Sequence, residues 1–394
     1  MEERLINEIF MHCSLEEDLI STNKAALQIE KNTLIAQILI KNFYRKKAIA
    51  LFEKEFKLAK KFTLHELTIK QLNSVLNHYS FVETNSKKMK YYMNELEFEL
   101  NAYNAEIFVR KCNAIMSHMY VTSKGHYTKN HLNSVKEMVE QMQAMKKKYK
   151  TYSIISFVSD LTFFYFQTIG DFKTDLQLAK ESLEEISNMP ILEKLGIYQS
   201  KRNIAIAHFR LQNYKEASIS FEDAISMLTL GTRNWFNATS LYYLNLIYSR
   251  DYKKLVELSI AVLTNKNLSK FPYFEEQWKL REAYLHFLIK SEIIQLDEQQ
   301  KKAVKPFSLS KFLNSVPFHT KDKSGQNITI IIIQVLFLLL DNKYGKIIDK
   351  IDSLTQYTYR YLHRDETFRS NCFIKMLLLM IKADFHPVRT KSLT

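Results

Sequence analysis

KRNIAIAHFRLQNYKEASISFEDAISML, residues 201–228, reads as two helices joined by a short polar turn. Ile204, Ala205 and Phe209 share one side of the first helix, and Tyr214 follows the turn. Ala217, Phe221 and Ala224 recur at three- to four-residue spacing on the second helix. Small residues at these positions let the two backbones approach, and the large ones fill the space between them. One such hairpin cannot bury its apolar face alone, so it calls for neighbours of the same kind. A stack of hairpins normally presents a surface instead of performing chemistry.

The pattern extends in both directions. Upstream, residues 153–187 repeat it, with Gly170, Asp171 and Phe172 as the turn, Leu176, Ala179 and Leu183 as the apolar side, and Pro190 closing the unit. Downstream, residues 235–264 repeat it with Asp251 and Tyr252 at the turn. The steps from Phe172 to Tyr214 to Tyr252 are 42 and 38 residues, longer than the roughly 34 of a tetratricopeptide repeat. Residues 32–81 predict two helices, with Ala48, Leu51, Phe52, Phe56 and Ala59 as a stripe on the first and Leu64 opening the second. A long helix is expected over 89–121, with Gly125 as its stop, then another over 132–145. Residues 274–293 form an amphipathic helix carrying Trp278, Tyr284 and Leu285. Periodicity lapses over 298–327, which holds Pro306, Pro317 and Gly325, and helices are expected again over 328–340, 344–362 and 366–382.

The resulting expectation is an all-α solenoid of tetratricopeptide-like hairpins wound into a right-handed superhelix. Its parts are an N-terminal helical segment at 1–35, repeats over 36–297, an irregular basic connector at 298–327 and a helical C-terminal cap at 328–394. Composition agrees. Six Gly and five Pro in 394 residues are too few turn-formers for a sheet-rich chain. Apolar residues at 46% and aromatics at 13% supply a continuous core, which argues against disorder.

Lys and Arg outnumber Asp and Glu by 56 to 42, a formal charge of +14. That permits an acidic partner, nucleic acid or an anionic surface, but the excess is spread along the chain. Cys13, Cys112 and Cys372 lie far apart with no CxxC pair, so they read as small core residues and not as a disulfide framework or zinc site. The opening MEERLINEIF lacks the pattern of a secretory signal, and a cytoplasmic setting is expected, in which Asn237, Asn267 and Asn327 carry no glycans. The longest apolar run, 328–340, is 13 residues, short of the roughly 20 that cross a bilayer. It predicts a buried helix and no membrane insertion.

Catalytic motifs fail on spacing. His363, Arg364 and Asp365 spell a kinase-like triplet, but Asn371 is six residues past the Asp where five are needed. Gly325 and Gly345, the nearest glycine pair, are twenty residues apart and cannot make a phosphate-cradling loop. His126 and His131 are spaced by five, off a common helical face, and His12 and Cys13 are adjacent and diverge. The expectation is a protein that is not an enzyme and holds no cofactor or metal.

Two binding surfaces remain. Arg202, Phe209 and Trp235 would project into the groove of the array, where aromatics and Arg are the usual anchors. Lys311, Lys321, Lys323, Arg360, Arg364 and Arg369 would gather into a patch for an acidic ligand if the segments holding them fold together, with Tyr359 and Phe368 available for stacking.

FSLSKFLNSVPFHTKDKSGQNITIIIIQVLFLL at 307–339 and YRYLHRDETFRSNCFIKMLLLMIKADFHP at 359–387, with the repeats before them, resemble the C-terminal portion of a family of uncharacterised bacterial tetratricopeptide-repeat proteins. The resemblance spans about residues 40–390 and implies an all-helical array in a cytoplasmic setting, without a mechanism. In length and repeat plan the chain is also similar to bacterial regulators that bind short peptides and control a partner protein, although its start shows no helix-turn-helix. Ile206 stands where carboxylate-clamp repeats carry the gripping Asn. The functional expectation is a scaffold binding a protein or peptide in a helical groove. The alternatives are nucleic-acid binding through the C-terminal patch and a peptide-sensing regulator.

Overall fold

The structure is a computed structural model that describes residues 21–123, 127–189, 194–315, 326–348, 350 and 368–393. Every regular element among them is helical. The chain divides into two compact units, one ending at Met227 and the other beginning at Leu228.

The first unit holds α1 (Ser21–Lys41), α2 (Arg45–Lys61), α3 (His65–Phe81), α4 (Ser86–Ser123), α5 (Lys129–Lys148), α6 (Tyr152–Ile169), α7 (Phe172–Ser187), α8 (Lys194–Arg210) and α9 (Tyr214–Ser226). Each helix packs on the next, and α4 on α6 and α6 on α8 pack across one position. That next-but-one contact makes α4, α6 and α8 a single row. Hairpin stacks bury their faces in this way, with each pair completing its neighbour's core. The decisive stretch folds as expected: Ala205, Ala207 and Ala217 are fully buried, and Phe221 and Ala224 nearly so. Gly196 permits a close approach on the same row, because a β-carbon there would lie 2.5 Å from the Tyr152 ring.

The second unit holds α10 (Arg233–Ser249), α11 (Tyr252–Leu263), a 3₁₀ turn at Leu268–Lys270, α12 (Pro272–Lys290), α13 (Glu298–Ala303), α14 (Leu309–Ser315), α15 (Gln326–Leu340), α16 (Phe368–Lys382) and α17 (Pro387–Leu393). Trp278 is fully buried, edge-on to Tyr243. The apolar run forms α15, and Ile333, Val335 and Phe337 lie in two cores, one shared with Leu280 and Phe312 and the other with Ile347 and Leu377. No helix among the described residues is long and apolar enough to cross a membrane.

One turn recurs throughout. Phe43, Thr63, Gly170, Gln212, Arg250, Glu292, Asn342 and Asp384 each take a left-handed backbone, with φ between 51° and 78°. In every case the next amide reaches back five residues, as in Tyr44 to Leu39, Asn213 to His208 and Asp251 to Leu246. This closes the helix end by satisfying carbonyls that would otherwise be orphaned. At Asp171 and Asp251 the same residue then caps the following helix, its carboxylate accepting from the Thr174 and Lys254 amides.

Three expectations change. Residues 21–81 hold three helices where two were expected over 32–81, because the turn at Phe43 has no Gly or Pro to announce it. Residues 298–315 are not irregular: α13 and α14 form there, Phe312 is buried, and Phe307 stacks on His286 and Phe337. A buried aromatic anchor holds these turns in place of amphipathic periodicity. The helix expected over 344–362 is present over 344–348, and the positions of Cys13, Gly125, Pro190 and 351–362 lie outside the described residues.

Candidate functional site

A groove of about 600 Å³ opens in the first unit, walled by the start of α1, the α2–α3 turn, α4, α6 and the start of α8. Two of its lining residues, His65 and Glu106, are buried and held by polar contacts. His65, the first residue of α3, places Nδ1 2.5 Å from the Glu99 carboxylate on α4, and both side chains are almost wholly enclosed. Glu99 thus engages one nitrogen of the ring, and Nε2 is the other. That Nε2 is buried and has no hydrogen-bond partner among the described residues.

Glu106 lies two turns further along α4, fixed by Thr151, whose hydroxyl donates to it at 2.8 Å while capping α6. Arg110, one turn on, stands 3.8 Å away and is half exposed. Burial pushes the Glu106 carboxyl above its usual range, and His65, Thr151 and Arg110 pull it back. Asp160 on α6 also lines the groove, and burial raises its carboxyl too, against the opposing charge of Arg202. Glu30 and Glu66 are exposed at the mouth, the latter hydrogen-bonded to Tyr103. In a chain of charge +14, the lining carries four carboxylates against the single fixed cation Arg110.

The sequence-predicted groove residues fall in different settings. Arg202 is half-buried on α8, three residues beyond the lining residue Gln199, where it acts on Asp160 and hydrogen-bonds Asn203. Phe209 is half-buried beside Tyr214. Trp235 belongs to the second unit and is a packing residue, 5% exposed and edge-on to Phe236. Of the basic patch, Lys311 is exposed on α14 and Arg369 lies on α16, its side chain outside the description. Lys321, Lys323, Arg360 and Arg364 lie outside the described residues.

Sequence reasoning missed the groove because its acids come from four separate helices and form no motif. His65, Glu99 and Glu106 are spaced by 34 and 7 residues, and only Glu99 and Glu106 show the two-turn relation of a shared face. Cys112 is buried, as a core residue would be, and Cys372 is half-buried. Among the described residues, no three His, Cys, Asp or Glu side chains come together as a metal site requires. In comparisons with known proteins, neither a family model nor a curated protein matches the chain.

Proposed function

We propose that this chain is a non-enzymatic binding protein that holds a protein segment or peptide in the groove of its first unit. The carrying observation is that five elements distant in sequence converge on one groove of about 600 Å³ with both apolar and polar lining, a volume typical of ligand sites. The reading takes the hairpins as tetratricopeptide-type repeats wound in a right-handed sense. The row of α4, α6 and α8 supplies the inner wall. Extended peptides suit such a wall because successive helices offer side chains at regular intervals along it.

Calorimetric titration with short synthetic peptides tests the proposal. Binding that disappears when Leu195→Trp or Ser156→Trp, both at lining positions, fills the groove supports it, provided that helicity by circular dichroism is retained. Peptide binding that is indifferent to both substitutions removes it.

A further inference from the structure

We infer that the outward face of α4 pairs two copies of this chain, antiparallel about a two-fold axis through Asn104.

The 38-residue helix carries Met93, Leu100, Ile107, Ala114 and Val121 at seven-residue intervals, and all five are exposed. Ile115 joins the stripe. Met93, Leu100, Ile107 and Ile115 are between 43% and 49% exposed and fall within an arc of about 80° on the helix surface. Single exposed aliphatics are ordinary, but a continuous row of them marks a contact surface. The helices α5 and α6 pack on the opposite side, against Ala102, Val109 and Cys112. The stripe is also turned about 100° from Tyr103, Glu106 and Arg110, which line the groove, so it is a separate surface.

The stripe is complementary to itself. Counted from Asn104, Glu97 and Lys111 lie at −7 and +7, and Met93 and Ile115 at −11 and +11. In an antiparallel pair centred on Asn104, a position before the centre on one copy meets the position equally far beyond it on the other. Glu97 then faces Lys111 of the second copy and Met93 faces its Ile115, each contact being made twice. Leu100 and Ile107, at −4 and +3, interleave across the axis. The two Asn104 amides meet on it, where each has both a donor and an acceptor for the other. A two-fold interface requires this reciprocity, and a different protein would not.

The charges agree. Within the chain, the ion pairs of α4 engage Lys88, Glu95, Glu99, Glu106 and Arg110, whereas Glu97 and Lys111 stand exposed. Lys90 and His118, at −14 and +14, lie at the ends of the contact, where crossing helices diverge into solvent. Met89 to Val121 spans about 48 Å of helix, and a contact about 10 Å wide along it covers about 500 Å² per copy. The total of about 1,000 Å² reaches the lower bound of specific interfaces, so the dimer dissociates on dilution. Each copy carries +14, but at physiological salt repulsion beyond about 8 Å is screened.

Sedimentation equilibrium of the full chain in physiological salt, from about 1 to about 100 μM, tests the inference. The apparent mass should rise from 46.7 kDa toward twice that value. Leu100→Lys with Ile107→Lys changes exposed side chains and should keep the chain monomeric throughout. Glu97→Lys alone should weaken association roughly tenfold, because two attractions become two repulsions. Glu97→Lys with Lys111→Glu should restore it. Should the paired lysine variant lose helicity by circular dichroism, the charge swap alone decides. A monomer at every concentration overturns the inference and leaves the face to a different partner. A dimer indifferent to the paired lysines or to Glu97→Lys, or one that the double swap fails to restore, overturns it as well.

Discussion

Gln212 and Arg250 hold left-handed backbones at hairpin turns, a conformation that costs an L-residue energy which glycine avoids. Gln212→Gly should therefore raise unfolding free energy by roughly 0.5–1 kcal/mol in urea titration, the relief of strain net of glycine's greater entropy loss. Gly170→Ala should lower it by about 1 kcal/mol through backbone strain alone, since no atom lies within 4 Å of the added carbon. Asp175 offers a test through pH. It is buried on α7, and burial pushes its carboxyl from 3.8 to about 7 despite a hydrogen bond from Gln167. The native group keeps its proton where the unfolded chain has lost it. Its effect on stability is nil below about pH 4, grows as a penalty between about pH 4 and 7, and levels off above that. Asp175→Asn keeps an acceptor for Gln167 and removes the penalty. It should stabilise the protein at pH 8 by at most about 4 kcal/mol and flatten that part of the stability profile, whereas equal gains at pH 4 and pH 8 would show that ionisation is not the cause. At this scale the sequence displayed the buried alanines and the turns before Leu64, Phe172, Tyr214 and Tyr252, but concealed the one at Phe43, where an aromatic and not a glycine takes the left-handed backbone.

Helix crossings depend on small residues, and here the sequence was most legible. Ala217 and Ala224 sit at full or nearly full burial on α9, which packs on α8. Enlarging either to Leu forces side chains off their rotamers and should cost roughly 1–3 kcal/mol, read as a shift of the denaturation midpoint. Melting indistinguishable from the parent would contradict the packing of this pair. The α13–α14 segment teaches the opposite lesson. Its helices are 6 and 7 residues long, too short for a helical period to stand out, and they are held by Phe307 and Phe312 against α12 and α15. Phe312→Ala should cost about 3–5 kcal/mol, as a buried aromatic does. A loss below about 0.5 kcal/mol, the range of a surface substitution, would place Phe312 outside the core.

Across the whole molecule, a net charge of +14 surrounds a groove whose lining is acidic. A peptide held by hydrogen bonds and apolar contacts in the groove should change little in affinity with ionic strength. Binding to nucleic acid would instead fall steeply, because each neutralised phosphate releases a counterion. Titrations at low and high salt separate the two behaviours. Composition, glycine scarcity and helical periodicity determined that the chain is all-helical and built of packed hairpins, because burial at a fixed angular repeat is a local property written along each segment. Only the tertiary structure decided that His65, Glu106 and Asp160 would line one groove, with Glu99 against His65, while Trp235 became core. Charge and burial at such a place are sums over helices far apart in sequence, and no single segment contains them.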